Sequence, residues 1–103
     1  MARFDIYQNP EVSQRKSIPY WLDVQNSFLE IDTRVVVPLK AAAYFKDRVP
    51  RLNPVMKVGT MEVAMDTAAM GAVPVSALRQ SVANQLQDQP AIQEALDTLF
   101  GGY

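Results

Sequence analysis

The sequence contains no cysteine and no histidine. Disulfides, thiolate nucleophiles, imidazole bases and every zinc site built on Cys or His ligands are thereby excluded. Any chemistry must come from Asp, Glu, Lys, Arg, Ser, Thr or Tyr, or the protein works by binding alone. Glycine is scarce, with four residues, and no phosphate cradle of the G-x-x-x-x-G-K type surrounds Gly71, so nucleotide binding is unsupported. A run of about 18 or more apolar residues is missing, as is a charged-then-apolar leader; neither a membrane association nor export is expected, and the expected location is cytoplasmic. Repeats, low-complexity segments and internal linkers are also absent.

What is present is a globular balance. The 103 residues are 49% hydrophobic and 20% charged, with one Trp, four Tyr and four Phe, enough for a single domain, residues 1–103, with one core. The net charge of −1 argues against an unaided grip on a nucleic-acid backbone. Residues 1–57 carry nine basic and six acidic side chains, whereas residues 58–103 carry Arg79 against Glu62, Asp66, Asp88, Glu94 and Asp97. That asymmetry reads either as one acidic end of the molecule or as the solvated face of the last elements.

Period-two patterning dominates. Arg3–Tyr7 alternates and is stopped by Gln8-Asn9-Pro10, a polar loop follows, and Tyr20–Val24 resumes the aromatic and branched pattern of a strand. Val35-Val36-Val37 predicts a third strand, with Pro38 limiting how far it pairs. Lys40–Arg48, bounded by Pro38 and Pro50, predicts a single turn on a loop. Val55–Val58 and Met61–Met65 predict a hairpin turning at Gly59-Thr60, with strand character continuing towards Met70 and an extended stretch over Ala72–Val75. The period then changes: Ile92, Ala95, Leu96 and Leu99 recur at helical spacing, with Asp88 as the expected cap, Pro90 in the first turn and Gly101 as the C-cap. Short strands followed by one terminal helix predict a mainly β, α+β architecture: a small barrel or curled antiparallel sheet with the helix packed on it.

Asp23, Glu30 and Asp32 lie close in sequence but lack the spacing and central glycine of a calcium loop, so they read as solvated turn carboxylates. Met56, Met61, Met65 and Met70 read as core filler. Lys46, Arg48 and Arg51 read as ordinary loop solvation. No metal, cofactor or catalytic residue is expected.

Taken in order, D-V-Q-N at 23–26, R-V-V-V-P-L at 34–39, P-V-M-K-V-G at 54–59, A-V-P-V-S at 72–76 and an acidic helix closing in L-F-G-G-Y resemble the CcdB family of toxins. The resemblance implies an SH3-like β-barrel with a second small antiparallel sheet and a C-terminal helix, the CcdB/MazF-like fold, assembled as a homodimer. It further implies binding rather than catalysis. Such toxins dock on the A subunit of DNA gyrase and trap the cleaved complex; a CcdA-like antitoxin neutralises them, and the pair represses its own operon, touching DNA only through the antitoxin.

Carried over by position, the gyrase-binding residues implied are Phe28 and Leu29 after D-V-Q, Asp97 on the last helical turn, and the tail Gly101, Gly102 and Tyr103. Two of these depart from the family pattern: Asp97 stands where a neutral amide is usual, and Gly101 replaces a tryptophan. Tyr103 either folds back over the two glycines towards that vacated place or packs elsewhere. The alternatives are a family member that binds an antitoxin without poisoning gyrase, and a MazF-like ribonuclease; no R-G-D or R-G-E of the latter kind occurs.

Overall fold

The computed structural model describes residues 1–102. Seven strands, β1 (Asp5–Gln8), β2 (Tyr20–Asp23), β3 (Thr33–Ala41), β4 (Val55–Val58), β5 (Met61–Met65), β6 (Gly71–Pro74) and β7 (Ala83–Asn84), precede one helix, α1 (Gln89–Phe100). All pairings are antiparallel, in the order β4-β5-β3-β2-β1-β7, with β6 branching from β3. Beyond β7 the buried Gln85 donates from Nε2 to the Lys57 carbonyl of β4 at 3.0 Å. That bond joins the two ends of the sheet, which is thus a curled antiparallel half-barrel.

Register explains the core. Ile6, Leu22 and Val37 face one another across β1, β2 and β3, as do Leu39 and Met65, and Met56 and Val63. Ile92, Ala95 and Leu96 of α1 close this face into one cluster. On the other face Tyr7, Val36 and Leu78 form a smaller cluster with Trp21 and Val73 packed against it. Because side chains alternate along a strand, a one-residue slip would exchange the two faces.

The β4–β5 hairpin turns at Gly59-Thr60 as expected, with φ at Gly59 of 62°, a left-handed value that suits glycine. The single turn is also present, at Ala42–Tyr44. Pro38, however, does not curtail pairing: β3 runs nine residues through it. Val35 turns its carbonyl to Val24 in β2's chain at 3.1 Å, so alternation puts the Pro38 nitrogen on the opposite side of β3. There β6 has ended, at the Val36–Gly71 pair, and β5 has not begun before Leu39–Met65. The missing N–H therefore falls at the handover, where no strand partner waits for it. The same length of β3 accounts for another difference. A separate second sheet does not form among the described residues, because β3 pairs β6 with its first half and β5 with its second.

Three smaller expectations are corrected. Thr67–Ala69 is a single 3₁₀ turn rather than continuing strand, since Thr67 is buried with its hydroxyl on the Leu52 carbonyl at 2.5 Å. Met61 is exposed, unlike Met56 and Met65. Asp88 does not cap α1 with its side chain but accepts from Gln85 Nε2 at 2.8 Å.

Ile92 is fully buried where α1 meets the sheet. Replacing it by alanine is expected to cost about 2–5 kcal/mol in urea unfolding; a loss below about 1 kcal/mol would mean that the helix is not docked there. Burial of the Tyr7 ring, then the charges of Asp5 and Asp23, push its hydroxyl from 10.0 up to about 12. The unfolded chain therefore gives up this proton first. Tyr7's contribution to stability is full below the ordinary tyrosine value and is lost as pH rises towards about 12; Tyr7→Phe should flatten that decline in unfolding free energy measured against pH.

Candidate partner-binding site

The segment between β2 and β3 is built on one ion pair. Asp23 is fully buried and Arg34 nearly so, and their side chains meet in a two-pronged contact, Nε to Oδ2 at 2.8 Å and Nη2 to Oδ1 at 2.9 Å. The remaining guanidinium protons reach the carbonyls of Gln25 at 3.0 Å, Asn26 at 3.3 Å and Leu29 at 3.4 Å. Asp23 Oδ1 also accepts from the Gln25 N–H at 2.9 Å. Asp23 is therefore not a solvated turn carboxylate; its partner lies across the strand pair, hidden from a reading of adjacent residues. Glu30 and Asp32 are exposed as expected.

The rest of D-V-Q-N has equally local work. Gln25 uses its amide on β3, donating to the Thr33 carbonyl at 3.1 Å and accepting from the Val35 N–H at 2.9 Å. Asn26 accepts from the Phe28 N–H at 2.9 Å, a side-chain turn that lifts Phe28 off the surface. Phe28 is 93% exposed and Leu29 47% exposed. A ring exposed on an ordered loop contributes nothing to the core and leaves its area free to be buried against another surface.

At the other end, α1 closes on Asp97. The carbonyl of Asp97 accepts from the N–H of Gly101 at 2.7 Å and of Gly102 at 3.0 Å. Gly101 is the left-handed cap, with φ of 72°, as the sequence predicts. A β-carbon on Gly102 would sit 3.1 Å from Asp97 Oδ1, so that glycine is shaped by its neighbour as well. The half-buried Asp97 side chain accepts from Gln93 Nε2 at 3.1 Å. Phe100 is 69% exposed, while Leu99 is half-buried. Tyr103 lies outside the described residues.

Arg3 connects the two regions. Its Nε donates to the Val24 carbonyl at 3.0 Å, its Nη2 to Gln93 Oε1 at 3.3 Å, and its backbone N–H to Ser27 Oγ at 2.8 Å. Together with Val24, Asn26, Ser27 and Phe28 it lines a shallow concavity. Phe28 and Asp97 thus belong to segments joined through one side chain. Neither Arg3 nor Gln93 stands out in the sequence; the signal that could have marked Gln93 is its position four residues before Asp97 on the helix. Among the described residues no group of His, Cys, Asp or Glu is arranged to hold a metal ion, and no helix is long and apolar enough to cross a membrane.

A family model described as CcdB protein matches residues 3–102 of the chain.

The ion pair makes two substitutions informative. Asp23→Ala leaves a buried guanidinium without its counter-charge and should cost about 3–5 kcal/mol. Arg34→Lys keeps the charge but loses the planar fork, and should cost about 2 kcal/mol while accelerating amide exchange at residues 26–29. A lysine variant as stable as the parent in urea would show that the loop does not depend on this fork.

Proposed function

The chain belongs to the CcdB family, toxins of toxin–antitoxin systems, and from that premise we propose that it acts by binding. Its target is the A subunit of bacterial DNA gyrase, engaged by a homodimer while the DNA gate is cleaved, so that the cleaved complex is trapped. A CcdA-like antitoxin neutralises it, and the two together repress their operon. The same reading takes the half-barrel as the SH3-like, MazF-related fold, placed in the cytoplasm.

The observation that carries this reading is Phe28, almost fully exposed on a loop that a buried ion pair holds in place. Burying such a ring contributes about 2 kcal/mol, and two-fold symmetry presents it twice. Rigid aromatic anchors dominate contact surfaces because they bury much area at little cost in conformational freedom. Glu30 and Asp32 on the loop and the half-buried Asp97 on the helix give these two segments an acidic character, which favours a partner rich in arginine or lysine.

Gly101 in place of the family tryptophan changes which residues hold the partner. The proposal assigns the aromatic contact to Phe28, with Leu29 beside it and Tyr103 on the tail, and assigns Asp97, Gly101 and Gly102 to the shape of the helix end.

Induction in a susceptible bacterium should arrest growth with gyrase-dependent DNA breaks. Phe28→Ser should reduce trapping by purified gyrase about thirtyfold or more while leaving the melting temperature unchanged, and a chain ending at Phe100 should be harmless. Normal growth together with tight antitoxin binding would replace this reading by a non-poisoning regulator. Specific cleavage of RNA by the purified protein would replace it by a ribonuclease.

A further inference from the structure

Phe4 is an aromatic residue in the left-handed region, with φ of 73°, the one such non-glycine among the described residues. Bulky side chains avoid this conformation, and it persists where surrounding contacts enforce it. Here the Phe4 N–H donates to the Asp23 carbonyl at 2.6 Å, its own carbonyl accepts from the Gln85 N–H at 2.9 Å, and its ring is buried. The turn so produced sets the Arg3 guanidinium over the Phe4 ring, 4.8 Å from its centroid. From there Arg3 reaches the Val24 carbonyl on one side and Gln93 on the other.

We propose that Arg3 is a positioning residue that locks the Phe28 loop to the end of α1, so that the two halves of the binding face meet a partner as one preformed surface. The polar chain is continuous. Ser27, next to Phe28, accepts from the Arg3 N–H; Arg3 donates to Gln93; Gln93 donates to Asp97; and the Asp97 carbonyl receives the N–H groups of Gly101 and Gly102. It spans 90 positions of sequence at the Arg3–Gln93 step. A surface that is already ordered when it meets its partner avoids the cost of ordering on binding. The planar guanidinium suits this task because it can donate in two directions at once, whereas an ammonium is a compact point charge.

The sign of the effect separates positioning from simple charge. Arg3 is a cation beside the acidic residues of the face, so if it acted only through its charge, removing it would improve docking on a cationic partner. Acting as a strut, its removal must weaken docking.

The inference rests on the gyrase reading for its partner but not for its mechanics, and the experiment has an arm for each. In the free protein, Arg3→Met should raise amide exchange at residues 26–29 and at 101–102 while amides of β3 and β5 stay as protected as in the parent. Gln93→Met should do the same, and the double variant should fall short of the sum of the two, because both lose the Arg3–Gln93 bond while Arg3→Met also frees the Val24 carbonyl and Gln93→Met the Asp97 carboxylate. Unchanged exchange in either segment, or additive effects, would overturn the strut. With the A subunit of gyrase as probe, Arg3→Met should weaken binding about tenfold and Arg3→Lys should not restore it; binding equal to or tighter than the parent's would overturn the role in docking. If the parent itself does not bind gyrase, the functional reading fails alone, and the exchange arm still decides whether Arg3 joins the two segments.

Discussion

All five N–H groups of Arg34 are engaged within residues 23–29, two of them on the buried Asp23 carboxylate and three on loop carbonyls. A buried charge is costly unless it is paired and its remaining hydrogen-bonding capacity is met. Arg34 meets both conditions, and in doing so it converts the segment between β2 and β3 into an ordered ledge. The exposed position of Phe28 follows from that. The ring stands in solvent because the backbone beneath it is pinned to a group that cannot leave the interior without exposing Asp23. Such a pair is weak evidence for stability in itself; its value here is that it fixes a single loop geometry.

The long strand β3 supplies Arg34 and also organises the sheet. Its first half pairs β6 and its second pairs β5, while β2 follows its other edge. Two neighbours on one side of a single strand require a break between them, and Pro38 occupies that break. Asp23 and Arg34 lie on the same face of the sheet as Tyr7 and Val36, two of the three residues of the smaller cluster. The ion pair and the apolar contacts of that face are therefore set by one register, and a slip in it would move a charged pair into the main core. This is a strong specification of one structure over its neighbours.

Patterns confined to a few residues were legible in the sequence. The hairpin at Gly59-Thr60 and the helix Gln89–Phe100 with its Gly101 cap each depend on local periodicity and on one glycine with a left-handed backbone, and the single turn at Ala42–Tyr44 on the prolines that bound its segment. What was not legible depends on partners far along the chain. Asp23 looks like a turn carboxylate until β3 brings Arg34 beside it; an arginine opening the branched run R-V-V-V was the available signal, since a charge on a half-buried strand needs a partner. Pro38 reads as a stop unless the handover between β5 and β6 is known. Asp88 reads as a cap, but Gln85, held by the curl of the sheet, takes its carboxylate instead. The chemistry of D-V-Q-N was hidden for the same reason: besides the local turns at Gln25 and Phe28, its Asp23 and Gln25 side chains reach to β3.

The two terminal glycines now have different physical reasons. Gly101 adopts a φ of 72° to close the helix on Asp97, and any residue with a β-carbon there would carry about 1–2 kcal/mol of backbone strain. Gly102 has an ordinary backbone angle but faces Asp97 Oδ1 at a distance tighter than ordinary contact for a β-carbon. Filling the first position with an aromatic residue would therefore set the ring against the cap: either the ring is carried on a strained backbone or the cap opens and Asp97 loses its two N–H donors. With the aspartate in place the cap prevails, because the same residue is held from behind by Gln93 and, through it, by Arg3. The loop clamped by Arg34 carries no such conflict, and there the Phe28 ring stands 93% exposed on a backbone that closes no helix.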